Sequence, residues 1–278
     1  MKLAVRLLSI LLAAALMLPV GALAYDNPFV SPRGSCSSID GVTVLVSIFV
    51  NDPVHSWNYD LKADYESYSR IYWRLKTASE WLTWQAQRYQ ANPRIIWDWH
   101  NQPYLYYFYI SDHYLCDQSY TYDELRTYIQ KNINLKQIKD YYKADNVIFF
   151  AMYNQDINAN KGGYAWSWDF NANAGQDYAL EIIWITDEDS GLTVSAAGLA
   201  HEMMHCFGAI DLYAASSHVP KAYVDHLSAV KSKDIMYTID YHTPDTIGEV
   251  FSDLDAYYMG LLPASLDQER WGLVRTGF

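Results

Sequence analysis

The stretch His201-Glu202-Met203-Met204-His205-Cys206-Phe207-Gly208-Ala209-Ile210-Asp211 restricts the fold more than any other part of the chain. Residues four apart on an α-helix lie about 40° apart around its axis, so His201 and His205 point the same way only if this stretch is helical. There they can grip one metal ion. Glu202 stands beside them, placed to work on water at the ion rather than to bind it. Gly208 marks the end of the helix, because glycine takes the left-handed conformation of a helix stop at no steric cost. The turn carries the following residues back toward the histidines, and Asp211 is an acceptable oxygen ligand. Catalytic zinc takes three protein ligands and keeps a fourth position open. The spacing therefore predicts one zinc ion bound by His201, His205 and Asp211, with Glu202 as general base.

The chain also supplies the strands of a sheet. GVTVLVSIFV (41–50), NVIFFAMY (146–153) and LEIIWIT (180–186) read as buried strands, being almost continuously β-branched or aromatic. Arg94 to Trp99 and Tyr104 to Ser111 read as two further strands around Asn101-Gln102-Pro103. Helical periodicity runs from about Tyr59 to Gln90. A second helix, opened by a capping box at Thr121-Tyr122-Asp123-Glu124, runs to about Lys143. Asp187-Glu188-Asp189-Ser190 supplies acids and a cap ahead of the metal helix, drawn from about Thr193 to Phe207. A last helix is expected from about Gly248 to Gly260. The fold class is α+β: a twisted, mostly parallel sheet with an antiparallel edge strand and packed helices. An N-terminal subdomain covers about 41–208, and a small C-terminal subdomain about 209–278.

Residues 1–24 read as a secretory signal. Lys2 and Arg6 precede an apolar run from Leu7 to Leu18, too short to span a bilayer comfortably, and Ala22-Leu23-Ala24 is a small-x-small cleavage site before Tyr25. Residues 25–40 read as an extended lead-in. Export takes the formal charge from -12 to -14, since the signal carries two cations and no acid. No basic run is present, so nucleic acid is excluded as a partner, and no later segment is apolar enough to make one of a membrane. The mature chain is expected to be an exported monomer. Of three cysteines, Cys206 falls in the metal helix as a buried thiol, leaving Cys36 and Cys116 as the one pair available for a bridge. Asp156, Asp169, Asp177, Asp187 and Asp189 are oxygen donors of the kind Ca2+ takes, but a solvated acidic surface explains them as well.

With Gly208 and Asp211 included, the motif resembles the metzincin clan of zinc peptidases. Their pattern is His-Glu-x-x-His-x-x-Gly-x-x-His or Asp, followed by a Met-containing turn beneath the metal. Asp234-Ile235-Met236, 25 residues after Asp211, resembles that turn. Asp211-Leu212-Tyr213 and Tyr258-Met259-Gly260-Leu261-Leu262-Pro263 resemble segments of the secreted bacterial immune inhibitor A–like peptidases. Snapalysin-like peptidases also use an Asp ligand. The resemblance spans about residues 180–263 and is strongest at 201–213. It implies a zinc endopeptidase acting on protein or peptide substrates, with Gly208 and Met236 in structural roles. It also implies a substrate-binding edge strand near Gly163 to Phe170, where Gly163, Tyr164, Ala165 and Trp166 would touch the peptide. Thr238 stands where some metzincins carry a switching tyrosine, and Tyr237 is one residue early. Two other readings stay open. Glu249-Val250-Phe251-Ser252-Asp253 resembles the gluzincin helix whose Glu is the third ligand. The abundance of Tyr and Trp would also suit a non-catalytic module binding glycans or peptides.

Overall fold

In the computed structural model the apolar runs lie side by side in one sheet. The structure describes residues 29–31, 34–53, 57, 62–112, 118–153, 166–167, 177–187, 192–240 and 242–275. Strand β2 (Gly41–Asn51) pairs in parallel with β5 (Asn146–Tyr153), Thr43 facing Asn146 and Val50 facing Tyr153. Its other side is shared by β3 (Pro93–Ile96) along the first half and β4 (Tyr106–Ile110) along the second, both parallel. Beyond β5 lies β7 (Ala179–Trp184), again parallel. The short strand β6 (Trp166–Ser167) then runs antiparallel at the outer edge. All eight positions of β5 are buried, as a strand covered on both faces requires. The result is a mixed fold of helices on a mostly parallel sheet.

Helix α1 (Lys62–Gln87) buries Ile71, Leu75, Ala78, Leu82 and Ala86, a stripe of three- and four-residue steps, and packs against the metal helix α4 (Ala196–Cys206). Arg74 on the same face is also buried. Its guanidinium donates from Nη1 to the Val194 carbonyl at 2.7 Å and from Nε to Asp245 at 2.8 Å. It thereby ties α1 to the start of α4 and to the loop that holds Asp245.

Several boundaries differ from the sequence expectation, each for a local reason. The segment drawn as one helix to Lys143 is two, α2 (Gln118–Asn132) and α3 (Leu135–Tyr142). Asn134 breaks them by accepting from the Gln137 amide at 3.0 Å as an N-cap. Because α2 begins at Gln118, Thr121 lies inside it rather than at its N-cap position. Glu124 instead accepts from the hydroxyls of Ser111, at 2.9 Å, and Tyr109. The metal helix also starts later than drawn, at Ala196, and Glu188, Asp189 and Ser190 lie outside the described residues. Thr186–Asp187 (β8) pairs with Leu192–Thr193 (β9), and the cap is Ser195, whose side chain accepts from the Gly198 amide at 3.0 Å. The last expected helix shortens to α6 (Asp253–Tyr258) because Val250 is drawn into backbone bonds with Lys233 and Ile235.

The C-terminal region also holds α5 (Lys221–Ala229), α7 (Leu266–Trp271) and β10 (Leu273–Arg275). Part of the expected lead-in is ordered against it: β1 (Phe29–Ser31) pairs in parallel with β10. The chain then passes the end of α4, where the Cys36 amide donates to the Cys206 carbonyl at 2.9 Å. A Cβ on Gly34 would sit 2.2 Å from that carbonyl oxygen and 2.5 Å from the Gly208 amide nitrogen. Gly34→Ala is therefore expected to cost about 1–3 kcal/mol by forcing two backbone segments apart. A denaturant melt indistinguishable from wild type would show that the segment yields freely. Cys36 is buried in this passage, while Cys116, its suggested partner, lies outside the described residues.

Candidate metal centre

The metal helix is buried along its whole length, not on one stripe only, so its histidines are held in protein on every side. Its C-terminus is a Schellman motif. Gly208 takes φ 99°, its amide donates to the His205 carbonyl at 2.8 Å, and the Ala209 amide reaches back to Met204 at 3.1 Å. The turn leaves the Ala209 carbonyl 2.8 Å from His205 Nδ1. The Ile235 carbonyl lies 3.0 Å from His201 Nδ1. A carbonyl only accepts, so each Nδ1 carries a proton, and in a neutral ring Nε2 is then the acceptor nitrogen.

The two Nε2 atoms face one another. His201 Nε2 and His205 Nε2 are 3.0 Å apart, and Asp211 Oδ1 lies 3.1 Å from the first and 3.3 Å from the second. Three electron-rich atoms at such distances repel unless a cation sits among them. Ligands at the usual 2.0–2.1 Å from tetrahedral zinc are separated by about 3.3–3.4 Å, which the triangle nearly matches. Among the described residues no other group of three or more His, Cys, Asp or Glu is arranged to hold a metal. The electrostatics carry the same message. Burial opposes charge on His201, yet the Asp211 hydrogen bond and the charges of Glu202 and Asp211 raise its pKa to about 9. Burial likewise works to raise Asp211, but the two histidines outweigh it and hold that carboxyl far below the usual range. The pocket thus favours positive charge, whether proton or metal.

Glu202 is buried beside the histidines, but its carboxylate is not one of the three converging groups. Burial raises its pKa, with the histidines pulling the other way. Its Oε2 is buried without a hydrogen-bond partner.

The Asp234–Tyr237 turn lies under this cluster. Its amides at Tyr237 and Thr238 return to the Asp234 carbonyl at 3.0 and 2.9 Å, and Asp234 Oδ1 accepts from the Met236 amide at 2.8 Å. Ile235 orients His201, while the Met236 carbonyl accepts from the Leu212 amide at 2.8 Å, next to Asp211. Met236 itself is fully buried. The turn therefore positions His201 and the residue next to Asp211 by backbone bonds, and the buried Met236 side chain anchors it. Burial pushes the Asp234 carboxyl up to about 6, against the Ser252 and Met236 bonds that lower it.

Other candidates fall elsewhere. Glu249 accepts from the Asp240 amide at 2.6 Å and the Gly248 amide at 2.9 Å, one bond to each oxygen, so it braces its own loop. His226 packs against Tyr223 and Trp271. His218 has its Nδ1 against the Val30 carbonyl. Asp177 pairs with Lys139 at 3.6 Å, while Asp156, Asp169 and Asp189 lie outside the described residues, as do Gly163, Tyr164 and Ala165. Trp166 is in the outermost strand β6. Sequence reasoning missed Arg74 and the carbonyls of Ala209 and Ile235, none of which has a local signature. Tyr213 carried one, its place two residues after Asp211: its hydroxyl donates to Asp211 Oδ2 at 2.9 Å.

No protein-family model matches the chain. No curated protein matches it. Among solved structures, 62% of the chain is similar to 25% of a chain in "Structure of a chaperone-substrate complex", at 18% identity and a TM-score of 0.30. The chain thus spans a quarter of that neighbour's length, and a likeness at this level carries no argument about fold or function.

Proposed function

We propose that the protein is an exported zinc endopeptidase of metzincin type. What carries the reading is the convergence of two imidazole nitrogens and one carboxylate oxygen within 3.3 Å, with a buried glutamate beside them. His201, His205 and Asp211 would hold the ion. Bound there, zinc supplies Lewis acidity toward a peptide carbonyl and makes water easier to deprotonate. The chain's own groups do the rest. The Ala209 and Ile235 carbonyls fix both imidazole tautomers. Asp211 contributes negative charge, which tempers the acidity of the ion compared with a three-histidine site. Glu202 takes the proton of the attacking water at its free oxygen and returns it to the leaving amine, a task its raised pKa suits. A substrate strand would extend the sheet beside β6 by backbone hydrogen bonds. The nearest resemblance remains the immune inhibitor A–like peptidases. The export signal falls in residues 1–24, outside the described residues. The gluzincin reading is the weaker one, because Glu249 already spends both oxygens on its own loop.

The test is metal removal. Purified protein should contain about one zinc per chain and cleave casein or gelatin. A chelator such as 1,10-phenanthroline should abolish cleavage, and added zinc should restore it. Cleavage that persists in the metal-free protein, or a protein that takes up no zinc, would refute the proposal.

A further inference from the structure

We propose that Tyr213 is a positioning residue that makes Asp211 a one-oxygen ligand and so keeps the fourth metal position open. The inference rests on the metal centre proposed above. Asp211 lies on the loop after the Schellman turn, and its side chain is 35% exposed. The last torsion of an aspartate is broad and poorly held by its own backbone. Something must therefore select the orientation that sends Oδ1 to the histidines and turns Oδ2 away. The Tyr213 hydroxyl does this by donating to Oδ2 at 2.9 Å. Rotating the carboxylate to offer both oxygens to the ion would break that bond.

Tyr213 is 56% exposed, so more than half of it lies outside the core. A tyrosine kept for apolar burial would turn its ring inward. This one lays its hydroxyl on Asp211 Oδ2. Outer partners of metal ligands act in this way generally, and losing one typically weakens metal affinity about 10–100-fold. At Asp211 the loss would also free the second oxygen to compete for the position that water needs.

The experiment compares wild type, Tyr213→Phe and Tyr213→Ala. Zinc affinity is measured by competition with a chromophoric chelator, and the cobalt-substituted proteins are examined by visible absorption. Both variants should bind zinc about 10–100-fold more weakly than wild type and to a similar degree, since each lacks the hydroxyl. Their cobalt bands should weaken, because added oxygen coordination departs from the tetrahedral geometry that makes those bands intense. A Phe variant with wild-type affinity and spectrum overturns the inference, and so does a loss confined to the Ala variant, which would assign the effect to the ring. A wild-type protein that binds neither zinc nor cobalt removes the peptidase reading and this inference with it.

Discussion

Glu202→Gln is expected to keep its zinc and lose peptide hydrolysis by about 10²–10⁴-fold, the usual contribution of a positioned general base. The separation of the two effects follows from where Glu202 stands. Its carboxylate is not among the three groups that converge, so metal content should not depend on it. The amide has the same shape as the carboxylate and suits a buried position whose Oε2 makes no hydrogen bond. Folding should therefore be little changed, as far-ultraviolet circular dichroism would report. The amide cannot take a proton from water, and that is the whole of the expected defect, about 3–5 kcal/mol at the transition state. Casein cleavage at more than a tenth of the wild-type rate, in a protein shown to contain zinc, would rule out Glu202 as the base.

The second large effect separates Asp211 from Glu249. Asp211→Ala removes an atom that lies 3.1 and 3.3 Å from the two imidazole nitrogens. Loss of a direct ligand should exceed the roughly 10–100-fold that losing an outer partner costs. The variant should come through dialysis without zinc and without activity. Glu249→Ala should keep its zinc. It leaves the amides of Asp240 and Gly248 without their acceptor, so its cost is about 1–3 kcal/mol of stability in a thermal or denaturant melt. The reverse pattern, with zinc lost from Glu249→Ala and kept in Asp211→Ala, would give the third position to Glu249.

Much of the centre was legible because it is local. His201 and His205 share a helix face by a four-residue step, Gly208 stops that helix, and Asp211 follows on the turn. No contact more than ten residues long is needed to predict the triangle. The strands β2, β5 and β7 were legible for a different reason. Sheets covered on both faces demand unbroken apolar runs, and few segments here supply them. Boundaries were harder to read. Thr121 to Glu124 has the residues of a capping box, but Glu124 is used across the fold by Tyr109 and Ser111, and Asn134 is the cap that was overlooked. Glu249 has the residues of a gluzincin ligand and serves as a loop brace. Local patterns state what a side chain is able to do, and competing long-range partners decide which option is taken.

The amino-acid sequence alone predicted that His201, His205 and Asp211 come together with Glu202 beside them, because helical spacing and the turn that follows are properties of neighbouring residues. Only the tertiary structure decided how that set is held. Ile235, 34 residues from His201, orients its ring, Met236 anchors Leu212, and Arg74, 120 residues away, ties down the helix start at Val194. Strand β1 clasps β10 from the far end of the chain. These are bonds to backbone carbonyls and amides, groups that every residue carries. Nothing in the sequence distinguishes the ones that will be used, and only the folded chain brings them within bonding distance.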